Sequence, residues 1–132
     1  MCASDISTAP ASASGEAQPS VLCADGSPEI LEICRTILKA GGYQVFTVSN
    51  GAAALEFLKL HPVSAAVIAD SMSDIDGIEL ARKIKNVNKT VIVVMQCNRL
   101  SEFDKFPCVD SCISKGKGPI ALRKLITSLL QR

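Results

Sequence analysis

Four residues of this chain follow runs that read as strands, and their types belong together chemically. Asp25 follows Val21-Leu22-Cys23-Ala24, Asp70 follows Ser64-Ala65-Ala66-Val67-Ile68-Ala69, Gln96 follows the run beginning Thr90-Val91-Ile92-Val93-Val94, and Lys115 follows Ser111 to Ser114. Two carboxylates and an ammonium gathered in one crevice suit phosphoryl transfer, in which a hard cation takes carboxylate oxygens and a lysine pairs with the anion. A carboxylate can also act as the nucleophile and form an acyl phosphate. The plainer alternative is an ordinary surface ion pair, contributing about 0–1 kcal/mol.

Whether the four meet depends on the elements that carry them. Val21–Ala24 is short and wholly apolar, as a strand covered on both faces would be. Ser27 is a natural N-cap with Pro28 at the first helical position, opening a helix through Ile30, Leu31, Ile33, Cys34, Ile37 and Leu38 that Gly41-Gly42 stops. Tyr43–Val48 reads as a second strand and Asn50 to about Leu60 as a second helix, with His61 at its dipole-favoured end. Ser64–Ala69 reads as a third strand. Gly77 opens a helix carrying Ile78, Leu80, Ala81 and Ile84, and the β-branched run Thr90–Val94 predicts a fourth strand. Cys97 to Val109 shows no sustained helical stripe and is broken by Pro107, so a short helix or a loop is expected there. Ser111–Ser114 gives a fifth strand and Pro119–Leu130 a last helix.

Strands alternating with helices imply parallel pairing through right-handed crossovers. The expected fold is α/β, a doubly wound five-stranded parallel sheet with helices on both faces. Such sheets bind ligands at the carboxyl ends of their strands, where Asp25, Asp70, Gln96 and Lys115 should converge.

Composition narrows the function classes. The 132 residues suit one domain, and 48% apolar residues supply its core. A formal net charge of +1 gives no electrostatic footprint for nucleic acid or an anionic membrane. With no signal-peptide pattern and no apolar run long enough to span a bilayer, a cytoplasmic protein is expected. Residues 1–19, rich in Ala, Ser and Pro, are expected to be a disordered tail ahead of a domain over 20–132. The six cysteines include no CxxC pair and only one histidine accompanies them, so a zinc site is not expected. Cys23 and Cys34 read as small buried hydrophobes.

The segments VLCADGSPEILEICRTIL, AAVIADSMSDIDGIELARKIK, TVIVVMQ and CISKG follow in order the motifs of CheY-like receiver domains of two-component signalling, and the resemblance covers about residues 20 to 131. It implies a flavodoxin-like receiver with Asp70 as phosphoacceptor. Asp25, Asp70 and the backbone carbonyl of Met72 would hold Mg²⁺, and Lys115 would pair with Asp70 or its phosphoryl group. It also implies a histidine kinase or phosphotransfer protein as donor and a downstream protein as target, with no nucleic acid or membrane partner. Since the chain stops at Arg132, directly after the last helix, no output domain is expected to follow.

Several positions depart from that pattern. Gly26 stands where the family has a second acid, which weakens the expected hold on Mg²⁺, with Asp74 or Glu29 as candidates to lend a carboxylate. Gln96 and Cys112 occupy the switch positions usually held by a hydroxyl residue and an aromatic. Gly116 replaces a proline, and Asp76 reads as an N-cap rather than a ligand. The favoured reading is a stand-alone receiver phosphorylated on Asp70. The alternative is a phosphorylation-independent pseudo-receiver that binds proteins. A cysteine redox sensor ranks last, since sequence alone supports no low-pKa thiol.

Overall fold

The computed structural model describes residues 18–97 and 107–131. The expected tail falls almost wholly outside them, and so does most of the expected short helix or loop between the fourth and fifth strands.

Strands β1 (Ser20–Ala24), β2 (Gln44–Val48), β3 (Ala65–Ala69), β4 (Ile92–Cys97) and β5 (Ser111–Ser114) form one parallel sheet in the order β2-β1-β3-β4-β5. Helices α1 (Pro28–Ala40), α2 (Gly51–Leu60), α3 (Gly77–Val87) and α4 (Pro119–Leu130), with a single 3₁₀ turn over Lys115–Lys117, complete the described elements. None of the helices among the described residues is long and apolar enough to cross a membrane.

Period-two alternation along the central strands sorts the core into two layers. Leu22, Ala66, Ile68, Val93 and Met95 pack with Ala54 and Leu58 of α2 and with Leu80, Ala81 and Ile84 of α3. Val21, Cys23, Ala65, Val67, Val94 and Ile113 pack with Cys34 and Leu38 of α1 and with Leu122, Ile126 and Leu129 of α4. The doubly wound architecture expected from the sequence is therefore present, with both faces of the sheet covered.

Local chemistry sets most boundaries. Ser27 caps α1, its hydroxyl accepting from Ile30 N, and Gly42 leaves that helix with φ of +95°, a conformation that favours glycine. Asn50 is the cap of α2 rather than its first residue, its side chain accepting from Ala53 N at 2.7 Å. The fourth strand differs from expectation. It begins at Ile92, not Thr90, because the Asn88 side chain accepts from both the N–H and the hydroxyl of Thr90 and turns the chain there. It then runs on to Cys97, so that Gln96 lies within the strand rather than after it.

Candidate functional site

The carboxyl ends of β1, β3, β4 and β5 bring Asp25, Asp70, Gln96 and Lys115 to the same rim of the sheet. Asp25 sits just past β1, tied to β2 by its N–H, which donates to Val48 O at 3.2 Å. It is 6% exposed. Its Oδ1 accepts from Ser27 N at 2.9 Å, so the residue that caps α1 also fixes the carboxylate. Its Oδ2 is buried without a hydrogen bond and faces the Lys115 ammonium at 3.2 Å. That separation is an ion pair lacking the alignment of a directed hydrogen bond. The pair is unequal: the Lys115 side chain is 24% exposed and that of Asp25 8%. The ion pair formed by Lys115 here is thus with Asp25, whereas the resemblance implies a pairing with Asp70 or its phosphoryl group.

Asp70 is half-buried. Its N–H donates to Gln96 O at 3.0 Å and its carbonyl accepts from Gly77 N at 2.9 Å, stitching the end of β3 to β4 and to the start of α3. Gly77 is required by this approach, since a Cβ there would lie 2.7 Å from the carbonyl oxygens of both Ala69 and Asp70. The intervening loop is held by Met72 N donating to Ile75 O at 3.0 Å, and the Met72 side chain packs on the α2/α3 layer. Gly26 is open: a Cβ built there would meet no atom within 4 Å, so the chain has kept room where a second acid would stand.

Two acids near the site have other work. Asp74, considered above as a lender of a carboxylate, accepts from Gly51 N and Ala52 N, each at 3.0 Å, and so binds the β3–α3 loop to the start of α2. Those two bonds hold its carboxyl below the ordinary aspartate range. Asp76 stands at the N-cap position of α3, as expected, but its side chain makes no capping bond there. Its backbone carbonyl accepts from Leu80 N instead. Among the described residues, no group of three or more His, Cys, Asp or Glu side chains is arranged to hold a metal. All described peptide bonds are trans, including those around Gly116.

The two switch positions lie on opposite faces of the sheet. Cys112 pairs in register with Met95 and packs on the α2/α3 layer. Gln96 pairs with Ile113 and turns its side chain to α1, where the Cys34 thiol donates to Gln96 Oε1 at 3.8 Å. Sequence reasoning missed that contact and treated Cys34 as core filler. The available signal was the spacing of Cys34 and Leu38, four apart on the buried face of α1, which packs on the same layer as Cys23 of β1. Cys23 and Cys34 pack in the same buried layer between the sheet and α1. The Cys34 thiol and burial push Cys23 well above the ordinary thiol range, while the Cys23 thiol outweighs burial and lowers Cys34.

Comparison with known proteins accords with this geometry. Residues 21–126 match the family profile of the response regulator receiver domain. The response regulator GtcR of Aneurinibacillus migulanus is 28% identical over 116 residues, 85% of this chain and 48% of that protein. The chain thus spans about half the length of that relative. Among solved structures, a CheY-like receiver domain protein from Methanospirillum hungatei superposes with a TM-score of 0.82 at 22% identity, covering 87% of this chain and 95% of that one. TrrA of Thermotoga maritima, solved with Mg²⁺ and BeF, gives a TM-score of 0.77 at 22% identity over 85% of this chain and 99% of that one. With the profile match spanning most of its length and the sheet order to go with it, the chain belongs to the response regulator receiver domains, the signalling modules of two-component systems.

Proposed function

We propose that this receiver accepts a phosphoryl group on Asp70 from a histidine kinase or phosphotransfer protein in the cytoplasm and signals by docking to a downstream protein. The observation that carries the reading is the Asp25–Lys115 pair at 3.2 Å on the rim that also holds Asp70, with Asp25 Oδ2 buried and lacking a hydrogen bond. A buried carboxylate oxygen in that condition is a donor suited to a hard cation, and the open space at Gly26 has room for water among the ligands. Asp25, Asp70 and the Met72 carbonyl are the residues that would hold Mg²⁺, with one charge fewer than a two-acid site provides. When bound, the ion would neutralise charge developing on the transferred phosphoryl oxygens.

The chain's own residues supply the rest. An Asp70 carboxylate oxygen is the nucleophile: its bond to phosphorus forms as the donor's phosphorus–nitrogen bond breaks, and the imidazole departs. The backbone bonds of Asp70 to Gln96 and Gly77 orient it, and Lys115, paired with Asp25 at rest, would turn to the new anion. The Gln96 amide can donate to a phosphoryl oxygen, though from a longer side chain than a hydroxyl residue offers.

A second reading has one observation in its favour. Lys115 already neutralises Asp25, and Gly26 offers no acid, so the pocket resembles a settled ion pair on which a phosphorylation-independent binding module could be built. Amide NMR with Mg²⁺ and beryllium fluoride, a mimic of the phosphoryl group, separates the two. The receiver reading predicts shifts concentrated at Asp25, Asp70, Gln96 and Lys115. A spectrum unchanged at saturating Mg²⁺ would favour the binding module.

A further inference from the structure

The loop that follows Asp70 is a closed hairpin. Ser71 and Asp76 form an isolated antiparallel bridge, Met72 N donates to Ile75 O at 3.0 Å, and Gly77 N closes the base on Asp70 O at 2.9 Å. Met72 to Ile75 make its tip, so the Met72 carbonyl goes where the tip goes. The tip is seated on α2. Asp74 Oδ1 accepts from Gly51 N and Oδ2 from Ala52 N, each at 3.0 Å, and the half-buried Ile75 packs on the α2/α3 layer. Gly51 is the socket: a Cβ there would overlap Ile75 Cγ2 and lie 3.5 Å from Asp74 Oδ1. Asn50 takes the next amide, that of Ala53, so the first three N–H groups of α2 are all held by side chains, two of them by the loop. Asp74 is exposed, and bonds that compete with water add little to the stability of the whole domain. What they fix is a position.

We infer that Asp74 is a positioning residue for the Mg²⁺ site, holding the Met72 carbonyl in place through α2, and that latch and cation favour each other. Resting on the Mg²⁺ site proposed above, this role differs from that of a lent carboxylate: both Asp74 oxygens are committed to α2 amides, so the acid acts by setting a backbone oxygen. A ligand out of place must be drawn back at the cost of binding. The coupling is reciprocal, so a latch that strengthens Mg²⁺ binding is strengthened by the same factor when the cation is bound. The start of α2 thereby registers whether the rim is occupied.

Calorimetric titration of the full chain with Mg²⁺, without phosphodonor, tests this on the parent, Asp74→Ala, Asp74→Asn and Gly51→Ala, each checked for native circular dichroism. Asp74→Ala should bind about fivefold more weakly, the lower end of the range for coupled sites. Gly51→Ala keeps the acid and its charge but unseats the tip, and should weaken binding by a similar factor. Asp74→Asn loses the charge but keeps one acceptor, and should lie between the parent and Asp74→Ala. In the parent, saturating Mg²⁺ should slow hydrogen exchange of the Gly51 and Ala52 amides about fivefold, a change that a purely structural latch would not show. Parent-like affinity in Asp74→Ala and Gly51→Ala would overturn the role of Asp74 and leave the Mg²⁺ site standing. Equal loss in Asp74→Ala and Asp74→Asn with Gly51→Ala unchanged would do the same, by showing an effect of charge alone. A parent that binds no Mg²⁺ would overturn both.

Discussion

Lys115→Met should cost this domain more stability than Asp25→Asn, although both break the same ion pair. The asymmetry follows from burial. Asp25 Oδ1 keeps its bond from Ser27 N, but Oδ2 is buried and has only the ammonium opposite it, so removing Lys115 strands a charged oxygen in a poorly solvated place. Breaking a fully buried pair in this way costs roughly 3–5 kcal/mol. The Lys115 side chain is 24% exposed and water reaches the pair, which reduces the expected loss to about 1.5–3 kcal/mol. At roughly 5 °C per kcal/mol for a domain of this size, the melting temperature should fall by about 8–15 °C. Asp25→Asn keeps an oxygen able to accept from Ser27 N and lets Lys115 turn to solvent, so its effect should stay within about 1 kcal/mol. Urea unfolding at neutral pH measures both. Mg²⁺ should stabilise Lys115→Met more than the parent, because the cation has no ammonium to displace. Equal losses, or a larger loss for Asp25→Asn, would refute the reasoning.

Other perturbations probe separate parts of the account. Gly26→Asp fits without a clash and adds the missing charge, so calorimetry should find Mg²⁺ bound about tenfold more tightly, with metal-free stability lowered by like-charge repulsion. Asp74→Ala should free the Gly51 and Ala52 amides, seen as faster hydrogen exchange at the start of α2. Because the folded-state carboxyl of Asp74 is held below its ordinary range, its contribution is present above about pH 4 and lost as the pH falls through the folded value, so the urea midpoints of variant and parent should converge in acid. Gly77→Ala places a Cβ 2.7 Å from the Asp70 carbonyl oxygen. It should cost about 1–3 kcal/mol and shift the Asp70 amide resonance.

The parts of the fold legible in the sequence were those whose signals are local. Val21–Ala24 and Ala65–Ala69 announced themselves as wholly apolar runs, and Ser27-Pro28 and Gly41-Gly42 marked the ends of α1 in the residues themselves. The fourth strand was misplaced because Thr90 and Val91 carry β propensity, while the Asn88 side chain that turns them away expresses no strand signal of its own. The rim was foreseeable, since strand ends in a parallel sheet share one edge. Its internal pairing was not. The side-chain direction of Gln96 depends on strand register, where a single step moves it to the other face. Asp74 reaches α2 across 23 positions, and Cys34 reaches Gln96 across 62. Such contacts are set by the packed layers and leave no periodicity behind.

The most direct test of Asp70 as phosphoacceptor is intact-mass spectrometry after incubation with Mg²⁺ and a small phosphodonor, run beside Asp70→Asn. The account predicts a base-labile gain of one phosphoryl group on the parent and none on the variant. No gain across a wide range of Mg²⁺ concentrations, or an equal gain on Asp70→Asn, would contradict it.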